Sequence, residues 1–593
     1  MGKTFAEKIL GAETGAIVFK KPDIVLSHDN TASINATFGK MGGDKIFDPD
    51  QILIVLDHNA PPTNAKLAND YQKTREIVEK QGIKKFHDVG KGICHQIVSY
   101  YAKPNMIIVG SDSHTCTAGA FNAFAAGIDR TETAGLWKQG ETWFRVPESV
   151  KIILNGKLND GVYAKDLALW IIGMMGSSGA DYMSVEFHGE GVKTISVSDR
   201  MTIANLTSEM GAKNAVFPAD DVLAKFLGSK VSGTWADADA VYAKEFVIDL
   251  NKIFPVVSAP HNVDNVKSVS EVQGLKIQQA LIGTCTNGRL EDLRIAAKIL
   301  EGKTVNKNVQ LLIIPASQEI FMQAMEEGLI TTFFKAGANI LTPSCGPCLG
   351  TGQGIPADGY NVISTANRNF LGRMGNEKAT IYLASPATVA WSAVNGVISD
   401  PREITAHDKF PFEIPQSNTV YIKKGEDRFS NGTWNYADVD NLNTDQMFAG
   451  NLTYNVNSSE AEKIMPYLFK GFDDSFSERV KSGDIIIAGV NFGCGSSREH
   501  PSVGLAYAGI KAVICKSVNR IFYRSSVNQG LPILVVPEAV DAYKQGDKAD
   551  IDFVKGEIHI NNRVFKFSPL PSKLMAIFDA KGLVNYVKKF IAA

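Results

Sequence analysis

The sequence predicts an α/β fold with mostly parallel sheets, and two observations carry that expectation. Short apolar runs at 52–56, 106–109, 280–282, 362–363 and 485–488 recur along the chain, each followed by a polar or glycine-rich turn. Longer segments with helical character, such as 69–80 and 290–300, lie between them. Strands alternating with helices build α/β layers. The apolar runs are continuous rather than alternating, as strands covered on both faces require.

Size and charge bound the rest. The 593 residues suffice for about four domains of roughly 150 residues each. With 61 Lys+Arg against 63 Asp+Glu, no bulk charge recruits nucleic acid or an acidic membrane. No apolar run reaches the roughly 18 residues of a membrane span. Lys3, Glu7 and Lys8 put charge where a signal peptide needs its apolar stretch. Seven cysteines are too sparse for a disulfide scaffold. A reducing, cytoplasmic setting is therefore expected, with the cysteines read as candidate ligands.

The segment from about 400 to 434 is rich in proline, charge and turn residues, with one brief strand-like stretch. It reads as a linker, 401–434, ahead of a C-terminal domain at 435–593. Within the first 400 residues a break near 262–271 divides 1–265 from 266–400.

Cys345 and Cys348 form Cys-Gly-Pro-Cys, and Cys285 follows a short strand and precedes a helix. A lone Cys-x-x-Cys is compatible with half a zinc site, a redox pair or simple packing. Zinc needs a fourth ligand, and no second Cys-x-x-Cys or His-x-x-x-His exists. Three cysteines suggest instead an iron–sulfur cluster with one iron lacking a thiolate, since fully ligated clusters take four. Such an iron can act as a Lewis acid. Cys515 lies in an apolar strand and reads as core. Cys94, Cys116 and Cys494 read as neighbours of polar sites rather than ligands.

Four predicted strands end in reactive side chains: Asp57-His58; Ser111-Asp112-Ser113-His114-Thr115; Asn367-Arg368-Asn369 with Arg373 beyond; and Asn491 leading into Ser496-Ser497-Arg498-Glu499-His500. Ligands of open parallel sheets bind at the carboxyl ends of strands. A carboxylate beside a histidine fixes its tautomer and favours imidazolium. The turn from Gly493 to Ser497 offers main-chain N–H groups to an anion, but the Lys of a Walker loop is missing. Arginines near Asn367 suit planar carboxylates.

Taken together, these motifs resemble the aconitase superfamily of iron–sulfur hydro-lyases, over nearly the whole chain. The resemblance rests on 111–115, Gly-Thr-Cys-Thr-Asn-Gly-Arg at 283–289, Cys-Gly-Pro-Cys at 345–348, Asn-Arg-Asn-Phe-Leu-Gly-Arg at 367–373 and Gly-Ser-Ser-Arg-Glu-His at 495–500. Segments 92–97 and 204–212 are similar as well. The family implies three α/β domains around a 4Fe–4S cluster, plus a linked C-terminal swivelling α/β domain. It implies that Cys285, Cys345 and Cys348 hold the cluster, with Asn367 beside it, and that one iron binds the substrate hydroxyl and a carboxylate near His95, His114 and Glu209. It implies that Asp57 and His58 protonate the departing hydroxyl and that Asp112 is a further catalytic residue. Ser496 takes the proton alpha to a carboxylate as an alkoxide supported by loop amides and Arg498. Ser113, Asn205, Arg368, Arg373, Ser497 and Arg498 hold the substrate. His28 stands where long aconitases place a glutamine, which looks like the isopropylmalate branch. In that branch the large and small parts are often separate subunits; here they look fused, and a monomer is expected.

Substrate choice in this branch resides in a short loop, here Asn451-Leu452-Thr453-Tyr454. Homoaconitase-like loops carry an arginine for a distal carboxylate, and isopropylmalate-like loops an apolar residue. No arginine is present, and an unpaired buried carboxylate is costly. The expected substrate is therefore a malate with an alkyl arm, such as 3-isopropylmalate. Citrate, isocitrate or homocitrate is the alternative, with the third carboxylate held by another arginine. An RNA-binding regulator that acts on cluster loss is a different class, and the near-zero charge argues against it.

Overall fold

The computed structural model describes residues 2–402, 410–411, 427–449, 452, 456–458, 460–495, 498–567 and 572–590. The chain forms two compact units. One comprises Met1–Thr31, Pro49–Gly127 and Trp143–Gln416; the other comprises Ala32–Asp48, Ile128–Thr142 and Ser417–Ala593.

Three of the larger sheets among the described residues lie in the first unit. A five-stranded sheet has the spatial order Lys85–His87, Ile52–Val55, Ile24–Ser27, Ile107–Gly110, Phe124–Gly127. Every pair in it is parallel. Its first and fourth strands in chain order lie side by side at the centre, which is a doubly wound topology with its switch point between them. The runs Ile52–Val55 and Ile107–Gly110 are buried throughout, as a sheet covered on both faces demands. A four-stranded parallel sheet follows, ordered Asn214–Val216, Ser184–His188, Ser149–Asn155, Lys244–Asp249.

The third sheet has seven strands. Its parallel part runs Thr380–Leu383, Asn361–Ser364, Gln279–Gly283, Gln310–Ile314, Asn339–Ile340. This repeats the order of the first sheet, with the switch point between Gln279–Gly283 and Asn361–Ser364. Val256–Ser258 and Val266–Ser268 add an antiparallel edge. The boundary expected between 265 and 266 thus falls inside one sheet: the polar turn that reads as a break joins two paired strands. The helix Leu290–Leu300 forms over the residues its periodicity predicts, with Leu293, Ala296, Ala297 and Leu300 turned into the core.

The second unit carries a sheet ordered Phe429–Ser430, Thr433–Tyr436, Ile485–Ala488, Ala512–Cys515, Ile533–Val535, with parallel pairing from Thr433–Tyr436 onward. Strands therefore begin inside the segment expected as linker, because the alternation in Thr-Trp-Asn-Tyr is too short to read against the turn residues before it. A three-stranded antiparallel sheet, Ala549–Asp552, Glu557–Ile560 and Arg563–Lys566, completes it. The helix Arg130–Gln139 belongs to this unit, although linear reading places it with the N-terminal domains. Buried Glu132 pairs with buried Arg524, and Asp129 accepts from Asn528 Nδ2 at 2.7 Å. Such long-range pairs leave no local periodicity. Cys515 is buried in its strand, as expected. Among the described residues no helix is long and apolar enough to cross a membrane.

Candidate active site

The strand order of the first sheet brings three loaded loops together. His28, Asp29 and Asn30 follow Ile24–Ser27, Asp57 and His58 follow Ile52–Val55, and Ser111–His114 follow Ile107–Gly110. Asp29 organises the second loop. Its carboxylate accepts the N–H groups of Asp57, His58 and Asn59 at 3.0, 3.1 and 2.8 Å, and the Tyr71 hydroxyl at 2.5 Å. The turn bearing the predicted acid is thereby fixed from a neighbouring strand end.

His58 lies between two carboxylates. Its Nδ1 is 2.7 Å from Asp57 Oδ1 and its Nε2 is 3.3 Å from Asp112 Oδ2. Burial works against charge on this ring, but Asp57, Cys345 and Asp112 outweigh it and hold His58 well above its ordinary value. The same opposition of burial and charge leaves Asp57 low and Asp112 well below the usual carboxylate range, the latter through His95, His114 and His58. Asp112 is the hub: its Oδ1 lies 2.8 Å from His95 Nε2 and accepts the His114 N–H at 2.8 Å. Ligand-capable atoms of His95, Asp112 and His114 all lie within 4.8 Å of one another.

A second set spans from there to the third sheet. His114 Nε2 is 2.7 Å from Glu209 Oε1, and Arg368 Nε donates to Glu209 Oε2 at 3.0 Å. Arg368 Nη2 donates to Ser113 Oγ at 3.1 Å. Burial raises Glu209, but Arg368 and His114 prevail and bring it from 4.5 to about 2.

The carboxyl ends of the third sheet's strands supply the cysteines. Cys285 opens a one-turn helix directly after Gln279–Gly283, Asn367 and Arg368 follow Asn361–Ser364, and Cys345 and Cys348 follow Asn339–Ile340. Asn367 links two of the sulfurs: its Oδ1 lies 3.4 Å from Cys348 Sγ and its Nδ2 3.6 Å from Cys285 Sγ. Asn205 Nδ2 donates to Cys285 Sγ at 3.4 Å. Arg289 donates to the Cys285 carbonyl at 2.9 Å and to Thr286, bracing the short helix. Cys345 N–H donates to the Asp57 carbonyl at 3.2 Å, tying the ligand loop to the His58 turn.

These residues fit a 4Fe–4S cluster, which the family implies. Burial pushes the Cys285 thiol up to about 12, with Cys348 adding to it, and lifts Cys345 well above its ordinary value. Buried thiols of that kind ionise only when a metal takes the place of their protons. Two amide side chains already stand within reach of the sulfurs.

The structure places His28, Asp57, His58, His95, Asp112, Ser113, His114, Asn205, Glu209, Asn367, Arg368 and the three cysteines in one unit. Arg373 is half-buried, and its Nε lacks a hydrogen-bond partner among the described residues. Arg498 is buried. In the second unit its guanidinium pairs with Asp445 at 2.6 Å and donates to the Phe448 carbonyl at 3.1 Å, so it already has an internal counter-ion. Ser496, Ser497 and Thr453 lie outside the described residues. Sequence reasoning missed Asp29, Lys165 and Arg289. Asp29 directly follows His28 at a strand end, and that adjacency was the available signal.

Comparison with known proteins matches this geometry to a family. The model of the aconitase family (aconitate hydratase) matches residues 3–396, and that of the aconitase C-terminal domain matches 417–539. A 3-isopropylmalate dehydratase large subunit from Methanopyrus kandleri is 44% identical over 416 residues, covering 68% of this chain and 99% of the relative. A probable methanogen homoaconitase large subunit from Methanosarcina mazei is 46% identical over 390 residues, covering 64% of this chain and 99% of the relative. A crystal structure of a 3-isopropylmalate dehydratase from Methanocaldococcus jannaschii is 38% identical, covering 27% of this chain and 93% of that one with a TM-score of 0.25. The extent of these matches, on a chain whose strand ends gather the expected histidines, carboxylates and cysteines, makes it a member of the aconitase family of hydro-lyases.

Proposed function

We propose that this hydro-lyase isomerises an alkyl-substituted malate, such as 3-isopropylmalate, by eliminating water and adding it back. The observation that carries the substrate class is the segment Asn451-Leu452-Thr453-Tyr454, which holds no cation for a third carboxylate. Identity over the first 400 residues does not discriminate, because relatives named for isopropylmalate and for homoaconitase match there almost equally. Those relatives are large subunits. The second family match, at 417–539, supports a small-subunit-like part fused to the same chain. With both parts in one chain, a monomer is the expected working form.

Cys285, Cys345 and Cys348 hold the cluster. When bound, it supplies a Lewis acid for the substrate oxygens. The chain's own groups manage the protons. His58, kept cationic by Asp57 and Asp112, donates a proton to the departing hydroxyl. Ser496 removes the proton alpha to a carboxylate; as a poor base it requires a strongly electropositive loop. Arg373 offers an unpaired guanidinium edge for a substrate carboxylate. Glu209 holds His114 and Arg368 in place, and Arg498 steadies the segment following Ser496 through Asp445.

The test is a dehydration assay under strict anaerobiosis after reconstitution with iron and sulfide. Alkene absorbance is followed with 3-isopropylmalate and smaller alkylmalates beside citrate, isocitrate and homocitrate. Preference for alkylmalates is expected. Preference for the tricarboxylates overturns the substrate class and leaves the hydro-lyase assignment standing.

A further inference from the structure

Lys165 is an anomaly for its type. It lies in the first turn of the helix Ala164–Met175 and is completely buried, 0% exposed. Its ammonium donates to two main-chain carbonyls, Thr365 at 2.9 Å and Ala366 at 2.6 Å. Among the described residues no carboxylate stands within ion-pair distance of it. A buried cation held only by neutral dipoles is costly, and such a charge persists where an opposite charge compensates it.

The position of those carbonyls identifies the compensating charge. Ala366 precedes Asn367, whose amide reaches both Cys348 Sγ and Cys285 Sγ. The Thr365 carbonyl also accepts from Thr286 Oγ1 at 2.5 Å, one residue beyond Cys285, and the Thr365 hydroxyl accepts from the Gly283 N–H at 2.9 Å. Lys165 thus stands behind the backbone that carries Asn367, whose side chain reaches two of the sulfurs. Burial lowers the Lys165 ammonium from its ordinary 10.5 to about 7, and the groups that oppose this are led by Cys285 and Cys348, ahead of Glu209 and Asp292.

We propose that Lys165 is the buried counter-cation of the cluster: it compensates the negative charge of the thiolate-bound cluster and pins the 365–367 backbone that positions Asn367 and Arg368. It is a positioning and electrostatic residue, touching neither substrate nor sulfur. The inference rests on the reading that Cys285, Cys345 and Cys348 hold the cluster. Reduction potentials of such clusters respond to net charge and burial, so the charge has a readout independent of turnover.

The experiment compares reconstituted wild type, Lys165→Met and Lys165→Arg by iron and sulfide analysis and by redox titration of the cluster monitored by electron paramagnetic resonance. Loss of the cation disfavours the more negative, reduced cluster. The expected result is a midpoint shifted to more negative potential in Lys165→Met at full cluster content, and a midpoint near wild type in Lys165→Arg. An unchanged midpoint in Lys165→Met overturns the proposal, as does a Lys165→Arg midpoint displaced as far as that of Lys165→Met. If Lys165→Met yields no folded protein, Lys165→Arg decides alone: a retained midpoint supports the proposal and a displaced one overturns it. A wild type that binds no iron or sulfide refutes the cluster reading itself, a failure distinct from an unmoved midpoint.

Discussion

The imidazole of His28 stacks on that of His58, with ring centroids 3.9 Å apart and 18° between the planes. Two strand ends thus present a pair of parallel rings, and His58 in turn is gripped edge-on by Asp57 and Asp112. His28→Leu removes the stacked partner but leaves both carboxylates. It is expected to keep cluster iron and lose roughly tenfold in kcat/KM, the order of 1.4 kcal/mol of lost positioning. Steady-state kinetics beside iron analysis checks it.

Asp29→Asn loses an acceptor that holds three successive N–H groups and the Tyr71 hydroxyl. An unsatisfied buried group costs about 1–3 kcal/mol. The variant should fold and bind the cluster, and turn over roughly 10–100-fold more slowly through a displaced His58. Wild-type turnover with intact iron would show that the 57–59 turn holds itself.

Glu209→Gln leaves Arg368 buried without its counter-ion, at a cost of about 3–5 kcal/mol. The pH dependence has a definite sign. Glu209 ionises at about 2 when folded against 4.5 ordinarily, so its stabilisation is complete above the unfolded value and is lost as pH falls toward the folded one. The stability gap between wild type and Glu209→Gln, measured by denaturant unfolding of cluster-free protein, should hold above about pH 5 and narrow from about pH 4.5 toward pH 2. A gap that widens on acidification contradicts the pairing.

Cys345→Ser should abolish cluster binding and activity together. Ser496→Ala should retain the cluster and lose most turnover; a near-normal rate in that variant removes Ser496 as the base. Iron content, visible absorbance and the alkene assay separate the two cases.

In the second unit, Arg524→Met strands buried Glu132, with an expected loss of about 3–5 kcal/mol. Adding Glu132→Gln should recover much of it, because removing both charges relieves the burden that removing one creates. Unfolding curves of the single and double variants measure the recovery.

Much of the active site was legible because its residues sit in short, contiguous runs at strand ends. The strand cores Ile52–Val55 and Ile107–Gly110 are unbroken apolar stretches, and the side chains after them are of types that rarely cluster by chance. Lys165 was not legible. In Ala-Lys-Asp-Leu-Ala-Leu-Trp it reads as the solvated edge of a helix, and only the packing of that helix under residues 365–366 buries it. The attachment of Arg130–Gln139 to the second unit was equally hidden, since Glu132 and Arg524 meet across hundreds of residues. Arg498 was legible as a carboxylate binder by type, but its partner Asp445 comes from a different turn.

The repeated strand order of the first and third sheets has a consequence for how the enzyme matures. All three cysteines issue from one sheet, whereas His28, Asp57, His58 and Asp112 issue from the other. Under the proposed function, the cluster ligands and the proton-handling side chains are thus positioned by separate sheets, each ordered by its own strands. The Cys345 N–H on the Asp57 carbonyl and the Arg368 guanidinium on Ser113 join the two sets. Those contacts mark the point at which a metal carrier becomes a catalyst.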